Sequence, residues 1–256
     1  MSQSSVSFLK PKAKNPATSP ELDDALRATI AVKRARTLEL LHAAVDEFGS
    51  AGEVTFANSF GAEDMVLTDL ILSEKLPIEI FSLDTGRLPA ETYTLIGEVE
   101  QRYDTRLKIY FPDATKVEQY VRTEGINAFY NSVELRKACC GIRKVEPLRR
   151  ALAGKRAWIT GLRAEQSATR TELAVREFDE GNKLEKFNPL ADWTEQQVWA
   201  YIRIFDVPFN ALHDQFYPSI GCAPCTRAIA IGEDVRAGRW WWENPESKEC
   251  GLHVKQ

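Results

Sequence analysis

The chain has 256 residues, 44% of them hydrophobic and 27% charged, with a formal net charge of −4. This is enough apolar material for one α/β domain or two small ones, and it excludes a chain too polar to fold. The mild acidity argues against non-specific nucleic-acid binding, and no apolar run reaches membrane-span length.

In chain order, Met1 to Pro20 is polar, contains Pro11, Pro16 and Pro20, and lacks the apolar core of a secretory signal. It reads as a disordered tail over 1–20 of a cytoplasmic protein. Glu21 to Phe48 carries Leu22, Leu26, Ile30, Leu38, Leu41 and Val45 at helical spacing and stops at Gly49 and Gly52. Strands are predicted at Val54–Asn58, Ile78–Leu83, Leu107–Phe111 and Ala157–Thr160. Helices are predicted at Ala62–Ser73, Pro89–Tyr103, Thr115–Glu124, Cys139–Leu152 and Thr194–Phe205. Leu173–Phe178 and Lys183–Phe187, joined by Asp179–Gly181, suggest a hairpin at a sheet edge. Strand and helix alternate as in an α/β fold with a mostly parallel sheet and helices on both faces. The expected body is 21–239, followed by a mobile C-terminal segment over 240–256. No repeat or low-complexity tract is present.

Parallel sheets bind ligands beyond the carboxyl ends of their strands. Three predicted strands end in suitable turns: Asn58-Ser59-Phe60-Gly61-Ala62-Glu63-Asp64, Leu83-Asp84-Thr85-Gly86 and Thr160-Gly161-Leu162-Arg163. Small residues let a ligand approach backbone amides, and a following helix offers N–H groups to an anion. Each turn alone is compatible with a purely structural role; three together point to a nucleotide-like ligand.

Five cysteines in a reducing compartment do not read as a disulfide framework. Cys139 and Cys140 are adjacent, Cys222 and Cys225 form a C-x-x-C, and Cys250 stands alone. Four thiolates suit zinc or an iron–sulfur centre equally in number. Adjacent side chains reach neighbouring corners of one small tetrahedral ion only with difficulty, whereas the separate irons of a cubane lie further apart. The spacing therefore favours a [4Fe–4S] cluster over zinc, with a pair of buried apolar cysteines as the bland alternative. Cys250 lies in Glu249-Cys250-Gly251-Leu252-His253, in a polar segment poorly suited to a structural cysteine. An accessible thiol near cationic groups is a nucleophile candidate, and a nucleophile on a terminal segment implies closing and swinging out. His253 reads either as its partner or as a solvated residue.

Arg143, Lys144, Arg170, Arg236 and Arg239 bracket the cysteines and the fourth strand end. Each alone is an ordinary surface charge, but together they suit phosphate or sulfate oxygens. Trp240, Trp241 and Trp242 serve either the core or a hinge for the terminal segment.

These residues resemble the assimilatory adenylyl-sulfate (APS) reductases, the iron–sulfur-containing branch of the APS/PAPS reductase family of adenine-nucleotide-binding α/β folds. The resemblance runs from about Val54 to His253. It rests on the Ser59–Asp64 and Leu83–Gly86 turns, Lys137-Ala138-Cys139-Cys140, and Gly161-Leu162-Arg163 through Thr169-Arg170. It rests further on Gly221-Cys222-Ala223-Pro224-Cys225-Thr226-Arg227, Gly238-Arg239-Trp240-Trp241-Trp242 and Glu249–His253. It implies that Cys139, Cys140, Cys222 and Cys225 ligate a [4Fe–4S] cluster with no obvious oxidation-state change in turnover. Ser59, Gly61, Leu83, Asp84, Thr85, Gly86 and Gly161 would form the adenosine pocket, with Arg163 beside it. Lys144, Arg170, Arg236, Arg239 and His253 would surround the phosphosulfate, and Cys250 would attack its sulfur, expelling AMP and leaving S-sulfocysteine. With the other four thiols committed, an external dithiol must regenerate Cys250, which suits thioredoxin or glutaredoxin.

The neighbouring function is reduction of PAPS, or of both nucleotides; family members restricted to PAPS generally lack the cluster cysteines. A tRNA thiolase of the same fold would want a lysine in the first turn, where this chain has Glu63 and Asp64. A non-enzymatic iron–sulfur sensor would not need Cys250. The sequence leaves a homo-oligomer open.

Overall fold

In the computed structural model, the residues described are 15–49, 52–166 and 173–244. Six strands form one sheet: β1 (Val54–Ala57), β2 (Glu79–Leu83), β3 (Lys108–Tyr110), β4 (Ala157–Ile159), β5 (Arg176–Asp179) and β6 (Leu184–Phe187). Their spatial order is β3-β2-β1-β4-β6-β5, all pairs parallel except the edge pair β5–β6. The chain thus builds outward from β1 in one direction through β2 and β3. It then returns to the other side of β1 with β4, which makes β1/β4 the topological switch point.

Helices cover both faces: α1 (Asp24–Phe48), α2 (Ala62–Ser73), α3 (Ala90–Arg102), α4 (Ala114–Glu124), α5 (Val133–Cys140), α6 (Glu146–Leu152) and α7 (Glu195–Ile204). Strand alternation divides the core. Phe56, Ile80 and Ile159 face the larger apolar cluster with α1, α2 and α7. Phe81 and Trp158 face the smaller one with Leu148, Ala151 and Leu152 of α6. Helix starts follow local capping chemistry. Asp23 accepts the Leu26 N–H at 2.7 Å, Ser132 accepts that of Leu135 at 3.2 Å, and Thr194 with Gln197 forms a reciprocal capping box.

Three boundaries differ from the sequence expectation. Part of the predicted disordered tail is ordered: Pro16–Thr18 forms a short 3-10 turn. The Thr18 side chain bonds Asp214 at 2.6 Å and its carbonyl accepts from Arg203 at 2.7 Å. The predicted helix over Cys139–Leu152 begins earlier, at Val133, and is not uniform, because Gly141–Val145 is a π-helical turn between α5 and α6. Its wider i→i+5 winding is a local feature that apolar spacing does not encode. The expected mobile segment does not begin at 240, because Trp240 is buried and Glu243 is locked to α5; residues 245–256 lie outside the described residues.

Candidate active site

A cavity of about 210 Å³ opens at the carboxyl ends of β1, β2 and β4, where the switch point predicts a ligand. Its apolar floor comes from Ala57, Phe81, Leu83, Leu148 and Trp158, and its polar rim includes Asn58, Ser59, Ser82, Thr85, Thr160 and Gln166. Of the predicted residues, Ser59, Gly61, Leu83, Thr85, Lys144 and Gly161 line it. Ser82, Leu148, Gln166 and Ile220 were not singled out by sequence, and Asn58 and Thr160 stood only as members of the strand-end turns. Three of these six, Asn58, Ser82 and Thr160, lie within or next to strands, where strand burial accounts for them.

The β1 turn is held by its own side chains. Asn58 accepts the Phe60 N–H at 2.7 Å, and Phe60 takes a left-handed φ of 62° while its ring is buried. Asp64 accepts the Ser59 N–H and hydroxyl, both at 2.6 Å. Burial pushes the Asp64 carboxyl up to about 7, against the lowering effect of those two bonds and with help from the neighbouring Glu63. Gly161 ends β4 against this carboxylate: a Cβ there would lie 2.1 Å from Asp64 Oδ1. Only glycine allows that approach.

The Leu83–Gly86 turn is fixed in the same manner. Asp84 accepts from the Gly86 N–H at 2.7 Å and from the Tyr93 hydroxyl at 2.9 Å, and Gly86 has φ +71°. Asp84 and Gly86 therefore shape the turn, and it is Leu83 and Thr85 that reach the cavity. Arg163 is likewise structural in its contacts. Its guanidinium is buried and held by Glu63 at 2.8 Å and Glu165 at 2.6 Å.

Beside this cavity lies a second, small one lined by Cys139, Cys140, Cys222 and Cys225. The end of α5 brings the first two, and a short 3-10 turn over Ala223–Cys225 brings the others. That turn is pinned by Ala223 N–H to Arg87 O at 2.8 Å and by the Tyr130 hydroxyl to Pro224 O at 2.7 Å. Thr85 Oγ1 and Cys222 Sγ lie 3.2 Å apart. Arg87, Arg136, Arg143 and Lys144, with Phe129 and Pro224, complete the lining. Burial pushes the Cys225 thiol up to about 12, with Cys222 and Cys140 adding to the shift, and burial also raises Cys139.

Four thiols facing four cationic side chains form a donor set suited to an anionic metal–thiolate centre. Among the described residues no group of three or more His, Cys, Asp or Glu is placed to hold a single metal ion.

The π turn separates two neighbouring cations. Arg143 turns to donate to Thr85 O at 2.6 Å, whereas Lys144 lines both cavities. Arg239 is buried, with its guanidinium over the Trp240 ring at 4.9 Å and packed on the Gly221 backbone. Its Nε has no hydrogen-bond partner among the described residues. Arg236 is half-buried in the turn that precedes it. Trp240 belongs to the core, and Trp242 packs edge-on to Tyr130 at 4.5 Å. Arg170, Cys250 and His253 lie outside the described residues.

Comparison with known proteins gives a family and a shared fold. Residues 53–228 match the family described as the phosphoadenosine phosphosulfate reductase domain. The chain is 60% identical over 228 residues to the adenosine 5′-phosphosulfate reductase of Allochromatium vinosum, covering 89% of this chain and 88% of that protein. It is 51% identical over 235 residues to the enzyme of the same name from Neisseria meningitidis, covering 91% and 95%. Among solved structures, it superposes on a phosphoadenylyl-sulfate (PAPS) reductase from Candida auris in a phosphate complex. There the TM-score is 0.64 and the identity 29%, over 80% of this chain and 98% of that one. Yeast FAD synthetase shares the fold at a TM-score of 0.58 and 13% identity, covering 83% and 72%.

Proposed function

The chain belongs to the phosphoadenosine phosphosulfate reductase domain family, and on that footing we propose that it reduces adenylyl sulfate to sulfite and AMP in sulfate assimilation. One observation carries the reading. The switch-point cavity and the thiol-lined cavity share Lys144 as a common wall, so a nucleotide's anionic end and a metal–thiolate centre would lie on either side of one ammonium group.

In this reading the adenosine occupies the apolar floor, and Ser59, Gly61 and Gly161 let it approach the backbone. The phosphosulfate points toward Lys144 and Arg239, with Arg236, Arg170 and His253 as further cations. Cys139, Cys140, Cys222 and Cys225 would hold a [4Fe–4S] cluster, which when bound supplies a fixed anionic centre that orients Lys144.

The Cys250 thiolate attacks the substrate sulfur, forming an S–S bond as the S–O bond to the phosphate breaks and AMP departs. Positive charge at the departing phosphate favours that step. One thiolate of an external dithiol protein, of the thioredoxin or glutaredoxin kind, then attacks Cys250 Sγ and releases sulfite. Its second thiol resolves the mixed disulfide and returns Cys250 to the thiolate. The dithiol loses two electrons and the sulfur gains them. Such a donor is kept reduced in cytoplasm, the compartment this reading assigns.

Intact-mass spectrometry after mixing with adenylyl sulfate should show the gain of one sulfonate group, discharged by a reduced dithiol protein. Cys250→Ser should show no gain. A sulfonate retained in that variant would sink the assignment. PAPS is the competing substrate, and the Candida auris neighbour carries that name. Turnover on the two nucleotides under matched conditions separates them, with adenylyl sulfate expected to be preferred.

A further inference from the structure

An arginine that serves an anion must be held before the anion arrives, because a freely rotating guanidinium forfeits entropy on binding. Arg239 is held from below by a backbone shelf. A Cβ on Gly221 would lie within 2.6 Å of three guanidinium atoms of Arg239, so the arginine plane rests where a side chain would stand. Gly221 also lines the nucleotide cavity, which puts the shelf in its wall.

The shelf is in turn fixed by Thr226. Its hydroxyl oxygen accepts the Gly221 N–H at 3.1 Å, and its proton goes to Cys222 O at 3.0 Å. Through its backbone, Thr226 forms an antiparallel bridge with Arg239 itself. That bridge is flanked by Arg227 N–H to Gly238 O at 3.0 Å and Trp240 N–H to Cys225 O at 3.2 Å. Gly238 is required for the pairing, since a Cβ there would lie 2.3 Å from Arg227 O. Residues 225–227 and 238–240 therefore form one clip. It carries a thiol of the cysteine quartet on one arm and the arginine on the other.

We infer that Thr226 and Gly221 are positioning residues that set Arg239 for the anionic end of the nucleotide, an inference resting on the proposed reading of the cavity as a sulfonucleotide site. Arg239 is buried and leaves its Nε unpartnered among the described residues, as expected of a donor kept for a ligand. Thr226 touches no substrate in this scheme. Its hydroxyl acts at one remove, by locking Gly221 to the Cys222 turn.

The test compares AMP with adenosine, which differ only in the phosphate, by calorimetric titration of the full chain carrying Thr226→Val, Thr226→Ser or Gly221→Ala. Thr226→Val should weaken AMP binding about tenfold, the worth of one hydrogen bond to a charged site. Adenosine affinity should not change, and Thr226→Ser should restore AMP binding. Gly221→Ala should reproduce the valine pattern, since its methyl displaces the guanidinium. Equal losses for AMP and adenosine would mark general damage and overturn the inference, as would unchanged AMP binding in Thr226→Val. If the unsubstituted chain bound neither ligand, the nucleotide reading itself would fall, and this inference with it.

Discussion

Asp64 shows how tightly single residues are matched at the cavity. Its carboxylate is buried, takes both Ser59 donors, and leaves no room for a side chain at position 161. Because burial raises its pKa to about 7 from the ordinary 3.8, the folded state binds a proton that the unfolded state releases between those values. Stability from this group is therefore present below pH 4 and is lost as pH rises through about 7. Asp64→Asn should flatten the dependence of the melting temperature on pH between 4 and 7, and an unchanged slope would assign that dependence elsewhere. The glycines, serine and aspartates of the strand-end turns were legible because turn chemistry constrains the residue itself. The roles of Asp84, Gly86 and Arg163 were legible only in part. Sequence put them at the site, and it took their hydrogen bonds to show that they build the turns around it.

At the scale of elements, α5 does more than present two cysteines. Arg136, fully buried, makes a two-pronged ion pair with Glu243 at 2.8 Å for each bond, and its guanidinium lies over the Trp240 ring at 4.5 Å. A buried pair contributes little net stability, but breaking one side strands a charge and costs about 3–5 kcal/mol. Glu243→Gln should accordingly lower the unfolding free energy by that order in denaturant titrations. Arg136→Met with Glu243→Leu should recover most of it, which tests whether the charges or only the packing matter. Neither the pair nor the start of α5 at Val133 could be read from sequence. Nothing in the spacing of positions 136 and 243 links them, and the apolar pattern of α5 is weak beside its cap, Ser132. By contrast α2 is buried on nearly every side and its bounds, Ala62 to Ser73, match the sequence expectation, because Met65, Val66, Leu67, Leu70, Ile71 and Leu72 lie between a glycine turn and polar residues and leave few alternatives.

Across the whole molecule, the sheet order puts the nucleotide cavity over β1, β2 and β4, and the thiol-lined cavity against its side. The alternation of strands and helices revealed the sheet, its parallel character and its antiparallel edge hairpin. It could not say that α5 and the Cys222 turn, far apart in sequence, meet; the cysteine pattern alone hinted at that. If these four thiols hold the proposed cluster, removing iron with a chelator should loosen the region they join and spare the sheet. Hydrogen exchange should quicken at 133–145 and 221–240 and stay slow in β1 and β4. Uniform quickening would argue that the centre supports the entire fold.

The π turn at Gly141–Val145 has a consequence for how this site tolerates change in length. A helix advances by about 100° per residue, and a π turn absorbs one extra residue without unwinding either flank. It acts as a phase shifter: Cys140 keeps its face before the insertion and Leu148 keeps its core face after it. Deleting one residue within the turn would leave a continuous α-helix with both flanks on their present faces, and the change would fall on the residues inside the turn, Arg143 and Lys144 among them. Lys144 would then leave the partition between the two cavities, so the spacing of this segment is constrained by angle as well as by residue type.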